Sequence, residues 1–313
     1  MDAAETGKAR MASLIQDVEK SYDDELQQLV HTLPKEEGWV SGSIYLYQGF
    51  WCPSLALKPM ISFQRHFQAF DSDVIVATFP KCGTTWLKAL TFSTLYRDRF
   101  ARDEHPLLAS TPHQLVRHLE FDVYINNPCP DLENICVYKP RLLATHVPHA
   151  FLPTSIKESK FFDKFCRGIH SIGPFFDHVL EYWNASQQYP DKILFIKYED
   201  LKEDINSQLK HLAMFLGVPF TEDEEKQGVV EEITNICSFE ELKELQVNKK
   251  GVSIVGIPNK DFFRKAEVGD WSNYLTPSMV ERLEKLMHEK LDNSGLTFKL
   301  SPKIAQDENV GFA

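Results

Sequence analysis

The 313-residue chain has no apolar run of the 18 or so residues that a membrane-crossing helix requires. Its start, Met1-Asp2-Ala3-Ala4-Glu5, is acidic and lacks an apolar core, so no secretory signal is expected. Positive charge is scarce, with 34 Lys and Arg against 45 Asp and Glu, a net charge of −11. Such a surface repels phosphate backbones, which argues against nucleic acid as a partner. The six cysteines (Cys52, Cys82, Cys129, Cys136, Cys166, Cys237) form no Cys-x-x-Cys pair. That pattern fits free thiols of a reducing compartment better than a zinc site or disulfide frame. No repeat or low-complexity block is visible. The expectation is a cytoplasmic chain of one large domain, with no membrane partner and no metal.

What is present is concentrated at Thr78-Phe79-Pro80-Lys81-Cys82-Gly83-Thr84-Thr85-Trp86. The preceding run, Asp73 to Phe79, is short, apolar and β-branched, and reads as a core strand. From Thr85 to Phe100 the spacing of Trp86, Leu87, Leu90 and Thr94 predicts a helix. Strand, tight glycine turn and helix aim free backbone N–H groups and the positive helix end at one point, which favours an anion. Gly83 permits close approach, Thr84 and Thr85 add hydroxyls, and Lys81 adds a point charge. A Walker A loop is excluded, because the lysine precedes the only glycine. An ordinary strand-to-helix turn with a surface lysine remains the plain alternative.

Along the rest of the chain, residues 1–35 read as a polar N-terminal arm, 36–300 as the main domain and 301–313 as a disordered tail. Strands are expected over Ser43–Phe50, Arg141–His146 and Lys192–Tyr198, and helices over 161–188, Gln208–Leu216 and Glu222–Ile236. Thr276, Pro277 and Gly295 bracket a last helix. Residues 101–140, rich in His, Pro and Asn, read as a long surface excursion near a site entrance. The alternation implies an α/β fold with a parallel sheet flanked by helices.

The loop and four further segments, in order, resemble the cytosolic sulfotransferases, most of all the plant enzymes acting on flavonols and steroid-like metabolites. The resemblance runs from about residue 44 to 300. Pro80-Lys81-Cys82-Gly83-Thr84-Thr85-Trp86 is similar to the family's 5′-phosphosulfate loop, with Cys82 where serine is usual. Arg141 to Pro148 resembles the segment carrying the catalytic histidine, here His146. Lys197-Tyr198-Glu199-Asp200 resembles a Tyr-Glu-Asp strand end, and Cys237-Ser238-Phe239 the segment whose phenylalanine stacks on adenine. Phe263-Arg264-Lys265-Ala266 before Gly269-Asp270-Trp271 is similar to the segment that grips a 3′-phosphate.

The resemblance implies a P-loop-like fold, the co-substrate 3′-phosphoadenylyl sulfate (PAPS) and a small hydroxylated acceptor. It implies His146 as general base and Lys81 as stabiliser of the leaving phosphate. Cys82, Gly83, Thr84, Thr85 and Trp86 would hold the 5′ side, Tyr198 and Phe239 the adenine, and Arg264, Lys265 and Ala266 the 3′-phosphate. Read without it, His146 is equally a hydrogen-bonded structural histidine, Tyr198 and Phe239 core aromatics, and Arg264 with Lys265 a solvated pair.

Three departures qualify the resemblance. Near 156–161 the chain passes from Leu152-Pro153-Thr154-Ser155 into Phe161-Phe162 without the family's next strand and helix. Roughly 40 residues are missing, the size of one strand-plus-helix unit, so the fold is expected to lack one core strand. Ala266 stands for the usual glycine, which suits only a backbone without positive φ. Ser272 and Pro277 break the family's dimer motif, which points to a monomer. A catalytically impaired member that only binds nucleotide or apolar ligand is the rival expectation.

Overall fold

The computed structural model describes residues 3–37, 42–148, 174–273 and 277–298. The break expected near 156–161, the tail 301–313 and Thr276 lie outside the described residues. The chain forms two compact units, Met1–Arg264 and Lys265–Ala313.

The first unit begins with helices α1 (Ala3–Lys20) and α2 (Asp24–Thr32), the latter capped by the Asp23 carboxylate on the Leu26 N–H. Strands β1 (Lys35–Glu37), β2 (Ser43–Tyr47) and β3 (Phe50–Pro53) make an antiparallel sheet. The single strand expected over 43–50 instead turns back at Gln48-Gly49, both at positive φ, so Tyr47 faces Phe50. Paired left-handed residues match the twist of a two-residue hairpin. Helix α3 (Ser54–His66) then buries Leu55, Leu57, Met60 and Phe63. Ile15, Val18, Tyr22 and Leu26 from the N-terminal helices join that same core.

The parallel pair that carries the site is β4 (Val74–Ala77) with β5 (Leu142–Thr145), in register Val74 to Leu142 through Ala77 to Thr145. Helix α4 (Thr84–Leu95) follows β4 and buries Lys88 to Thr94 almost continuously, as a helix packed on several sides must. Its Ala89 and Leu90 lie in a core shared with Leu209, Leu212, Val230 and Ile233. The starts of β4 and β5 are tied by a buried ion pair, the Arg141 guanidinium on both carboxylate oxygens of Asp73.

Residues 101–140 differ from the expected surface excursion. Leu107, Val116 and Leu119 there are fully buried. The segment runs through α5 (Pro112–Leu115), a wide π-type turn over Leu119–Val123 and α6 (Leu132–Ile135). His118 bridges to Ala144, adding a short parallel contact beside β5.

After the undescribed stretch come α7 (Phe175–Gln188), α8 (Tyr198–Glu203) and α9 (Ile205–Phe215). The strand expected over Lys192–Tyr198 is not formed. Ile193–Lys197 has no ladder partner among the described residues, and Tyr198 already starts α8. An apolar β-branched run specifies an extended backbone, but a strand exists only when a neighbour accepts its hydrogen bonds. The helix expected over Glu222–Ile236 is two, α10 (Glu222–Lys226) and α11 (Val229–Ile236), divided at Gly228 with φ +77. Helices α12 (Phe239–Glu244) and α13 (Gln246–Lys249) complete the unit.

In the second unit Lys265 pairs with Asp270 at 2.6 Å, and α14 (Pro277–Leu291) starts at its proline as expected. Ala266 has φ +57. The expectation of an unstrained alanine there is overturned.

Candidate active site

The turn after β4 is built from two left-handed residues. Lys81 has φ +68 and Gly83 φ +90, with the Cys82 N–H donating to the Phe79 carbonyl at 3.2 Å. Gly83 caps α4, whose first-turn N–H groups have no carbonyl a turn earlier to bond, and so face outward from the loop. The Lys81 ammonium reaches the Asp261 carbonyl at 3.3 Å. Its pKa lies below the ordinary lysine value, mainly through burial and next through Arg264, with Asp261 opposing. Two cations held near one another favour an anion beside them.

His146 follows the last residue of β5, at the carboxyl end of the parallel pair. Its Nδ1 is 2.7 Å from the Thr78 carbonyl oxygen and 3.2 Å from Thr78 Oγ1. A carbonyl only accepts, so Nδ1 carries the proton and Nε2 keeps the lone pair. Thr78 Oγ1 is in turn 2.8 Å from Thr84 Oγ1, which joins the histidine to the anion loop. Burial pushes the His146 pKa down to about 3, the Thr78 bond opposing and Lys88 and His178 adding to the fall. The ring is neutral near neutral pH and available as a base.

Glu120 fixes the strand end beneath it. The His146 N–H donates to Glu120 Oε1 at 2.7 Å and the Thr145 hydroxyl to Oε2 at 3.0 Å. The carboxyl is 1% exposed, and burial raises its pKa. His118 lies beside it, its ring centroid 4.4 Å from that of His146. Neither His118 nitrogen makes a hydrogen bond among the described residues. Helix α7 closes one side, with Phe175 and His178 edge-on to Phe79 of the loop at 5.3 and 5.2 Å.

On the other side Tyr198 and Trp86 meet edge to face at 5.7 Å. Trp86 Nε1 is buried without a hydrogen-bond partner among the described residues. An aromatic pair with an orphaned N–H beside an anion loop fits a purine bearing phosphates. Phe239 is farther along the wall, its ring 6.3 Å from Phe263.

The structure therefore brings together Lys81, Cys82, Gly83, Thr84, Thr85, Trp86, His146 and Tyr198, with Arg264 close enough to act on Lys81. Among the described residues Phe239 has no ring contact with that group, and Lys265 and Ala266 belong to the second unit. Sequence reasoning places Thr78 only as the start of the loop motif, and it misses Lys88 and Glu120. Lys88 alone carried a signal, as the single charge in an otherwise uncharged helix. Among the described residues no group of His, Cys, Asp or Glu could hold a metal ion, and no helix is long and apolar enough to cross a membrane.

The family model described as sulfotransferase domain matches residues 71–161 and 157–295, two stretches that meet where the chain was expected to be broken. Cytosolic sulfotransferase 15 of Arabidopsis thaliana is 44% identical over 330 positions, taking in 91% of each chain. Since 91% of this chain is about 285 residues, about 45 of those positions fall opposite gaps in it. A crystal structure of an Arabidopsis thaliana protein assigned to the steroid sulphotransferases superposes with a TM-score of 0.68 at 34% identity, covering 89% of this chain and 98% of that one. Mouse sulfotransferase SULT7A1 complexed with PAP superposes at 0.56 over 80% of this chain and 96% of its own; at 22% identity it speaks to the fold alone.

Proposed function

The chain belongs to the sulfotransferase family, whose members are PAPS-dependent enzymes, and on that footing we propose that it moves a sulfuryl group from PAPS to a hydroxyl of a small, largely apolar acceptor. One observation carries the proposal. A neutral histidine whose Nε2 has no hydrogen-bond partner among the described residues is linked, through Thr78, to the loop whose geometry favours an anion. Base and leaving-group site are thereby held in one frame, and positioning with charge neutralisation does most of the work in transfers of this kind.

In this reading His146 Nε2 takes the acceptor's hydroxyl proton as its oxygen bonds to sulfur. The bond from sulfur to the phosphate oxygen breaks, and Lys81 neutralises the charge left on that oxygen. Gly83, Thr84, Thr85 and Cys82 supply the cradle for the 5′ side, and Trp86 with Tyr198 the purine wall. Arg264, Lys265 and Ala266 are assigned to the 3′-phosphate, and Phe239 to the outer adenine edge. An anion in the loop favours the protonated imidazolium, so it raises the basicity of His146 when the donor is present. The reading includes a cytosolic monomer that needs no metal.

A second reading is favoured by the shortfall of about 45 positions against that relative. We take it as the loss of one strand-plus-helix unit, with two of the family's 3′-phosphate contacts. A chain so shortened could bind nucleotide or apolar ligand without chemistry. Transfer of labelled sulfate from PAPS to a panel of flavonols and hydroxysteroids separates the two. Transfer that falls at least about a hundredfold in Lys81→Met and in His146→Ala supports the enzyme. Donor binding with no transfer to any acceptor supports the binder.

A further inference from the structure

A second line of polar groups runs behind the loop. Lys88, one turn beyond Thr84 on α4, is 0% exposed, and its Nζ donates to the Val116 carbonyl at 2.7 Å. The same nitrogen is 3.2 Å from Nδ1 of His113 on α5. Across that ring, Nε2 is 3.0 Å from Thr85 Oγ1. Phe262 covers the imidazole, ring centroids 4.3 Å apart. Amine, imidazole and hydroxyl thus form a continuous chain from the core to the mouth of the anion loop.

The direction of the bonds follows from what each group can do. Burial lowers the Lys88 pKa, with Glu120 and Asp122 opposing; in the ammonium form that those carboxylates favour, Nζ only donates, so Nδ1 of His113 accepts. Burial and the charges of Lys88, His146 and Lys81 hold the His113 pKa well below the usual value, so the ring is neutral. A neutral ring that accepts at Nδ1 carries its proton on Nε2. That N–H donates to Thr85 Oγ1, and the hydroxyl's own proton is left for another acceptor. Were the ring turned to the other tautomer, Thr85 would donate inward and show only lone pairs to an anion.

We propose that Lys88 and His113 are positioning residues that, through this relay, fix the Thr85 hydroxyl as a hydrogen-bond donor to the phosphate held by the loop. The inference rests on the loop being the donor site. A donor oriented before the ligand arrives needs no reorganisation on binding, which is where the gain in affinity lies.

The test is calorimetric binding of adenosine 3′,5′-bisphosphate to the wild type, His113→Asn, His113→Gln, Thr85→Val and the His113→Asn/Thr85→Val double variant. Glutamine places an N–H near the position of Nε2, whereas asparagine places its amide near Nδ1. Valine keeps the shape of threonine without its hydroxyl. The expected result is affinity about tenfold weaker for His113→Asn and for Thr85→Val, with His113→Gln within about threefold of wild type. The double variant should bind no more weakly than Thr85→Val alone, since both changes remove one interaction. Turnover in His113→Asn should show the loss in the KM for PAPS rather than in kcat. Should His113→Asn fail to melt cooperatively, Lys88→Met, which keeps the aliphatic stem, takes its place with the same expectation.

Additive losses in the double variant, or unchanged binding in His113→Asn while Thr85→Val weakens, overturn the relay and leave the donor site standing. No bisphosphate binding by the wild type, or wild-type affinity in Thr85→Val, overturns Thr85's place in the donor site and the relay with it.

Discussion

Gly83 and Tyr198 approach so closely that a methyl group on the glycine would lie 2.9 Å from Cδ2 of the tyrosine ring. The glycine also has φ +90, so both backbone and space exclude a side chain. Gly83→Ala is expected to cost about 1–3 kcal/mol in urea unfolding, from left-handed strain and the displaced ring. Binding of adenosine 3′,5′-bisphosphate should weaken at least about tenfold, since the ring that moves belongs to the purine wall. Wild-type stability in that variant would contradict this account of the turn.

Ala266 offers the reverse experiment. Its φ of +57 is a conformation that an L-residue with a Cβ adopts at a cost. Ala266→Gly should stabilise the chain by about 1 kcal/mol, measured as a rise in the urea midpoint at constant slope. A loss of stability would show that this backbone is not left-handed in solution.

The ion pair of Arg141 with Asp73 holds the first residues of the two strands whose far ends carry the loop and His146. Its side chains are 4% and 2% exposed. Arg141→Met leaves the Asp73 carboxylate buried without its partner and should cost about 3–5 kcal/mol. Asp73→Asn with Arg141→Met together should cost less than Arg141→Met alone, read from the same denaturation curves. Equal losses would assign the effect to packing rather than charge.

Acid should unfold the protein early. Burial lowers the pKa of His146 to about 3 and of His105 to about 4, and lowers His113 and His118 as well. In the unfolded chain these groups titrate near about 6.5, so between the two values the unfolded state binds more protons. The stability is therefore complete above about pH 6.5 and is lost as pH falls toward the folded-state values. Urea midpoints taken at about pH 7.5, 6 and 5 should fall steadily, and less steeply in His146→Asn. A midpoint independent of pH over that range would show the histidines to be exposed.

The parts of the site that were legible in the sequence are those whose chemistry is local. The loop from Thr78 to Trp86 is a strand end, a turn and a helix start in nine consecutive residues, and each step has its own signal. His146 is legible as a strand-end residue, but its tautomer depends on the Thr78 carbonyl, 68 positions away. Lys192–Tyr198 has the composition of a strand, and pairing, which composition does not encode, decides the matter. In 101–140 the polar residues mask three apolar anchors, Leu107, Val116 and Leu119, that carry His113 and Glu120 inward. Those two side chains reach the site only by tertiary placement, so no spacing announces them.

The account stands most directly on the selectivity of the loop site. Melting of the purified chain with adenosine 3′,5′-bisphosphate, against AMP and ATP at equal concentration, measures it. At a hundred times its dissociation constant a ligand adds about 2.7 kcal/mol, which raises the midpoint by roughly 4 °C for a protein of this size. The expected result is that rise with the bisphosphate, little with AMP, and its loss in Lys81→Met. A cooperative melt that responds to no nucleotide, or equally to all three, would contradict a 3′-phosphonucleotide site at this loop.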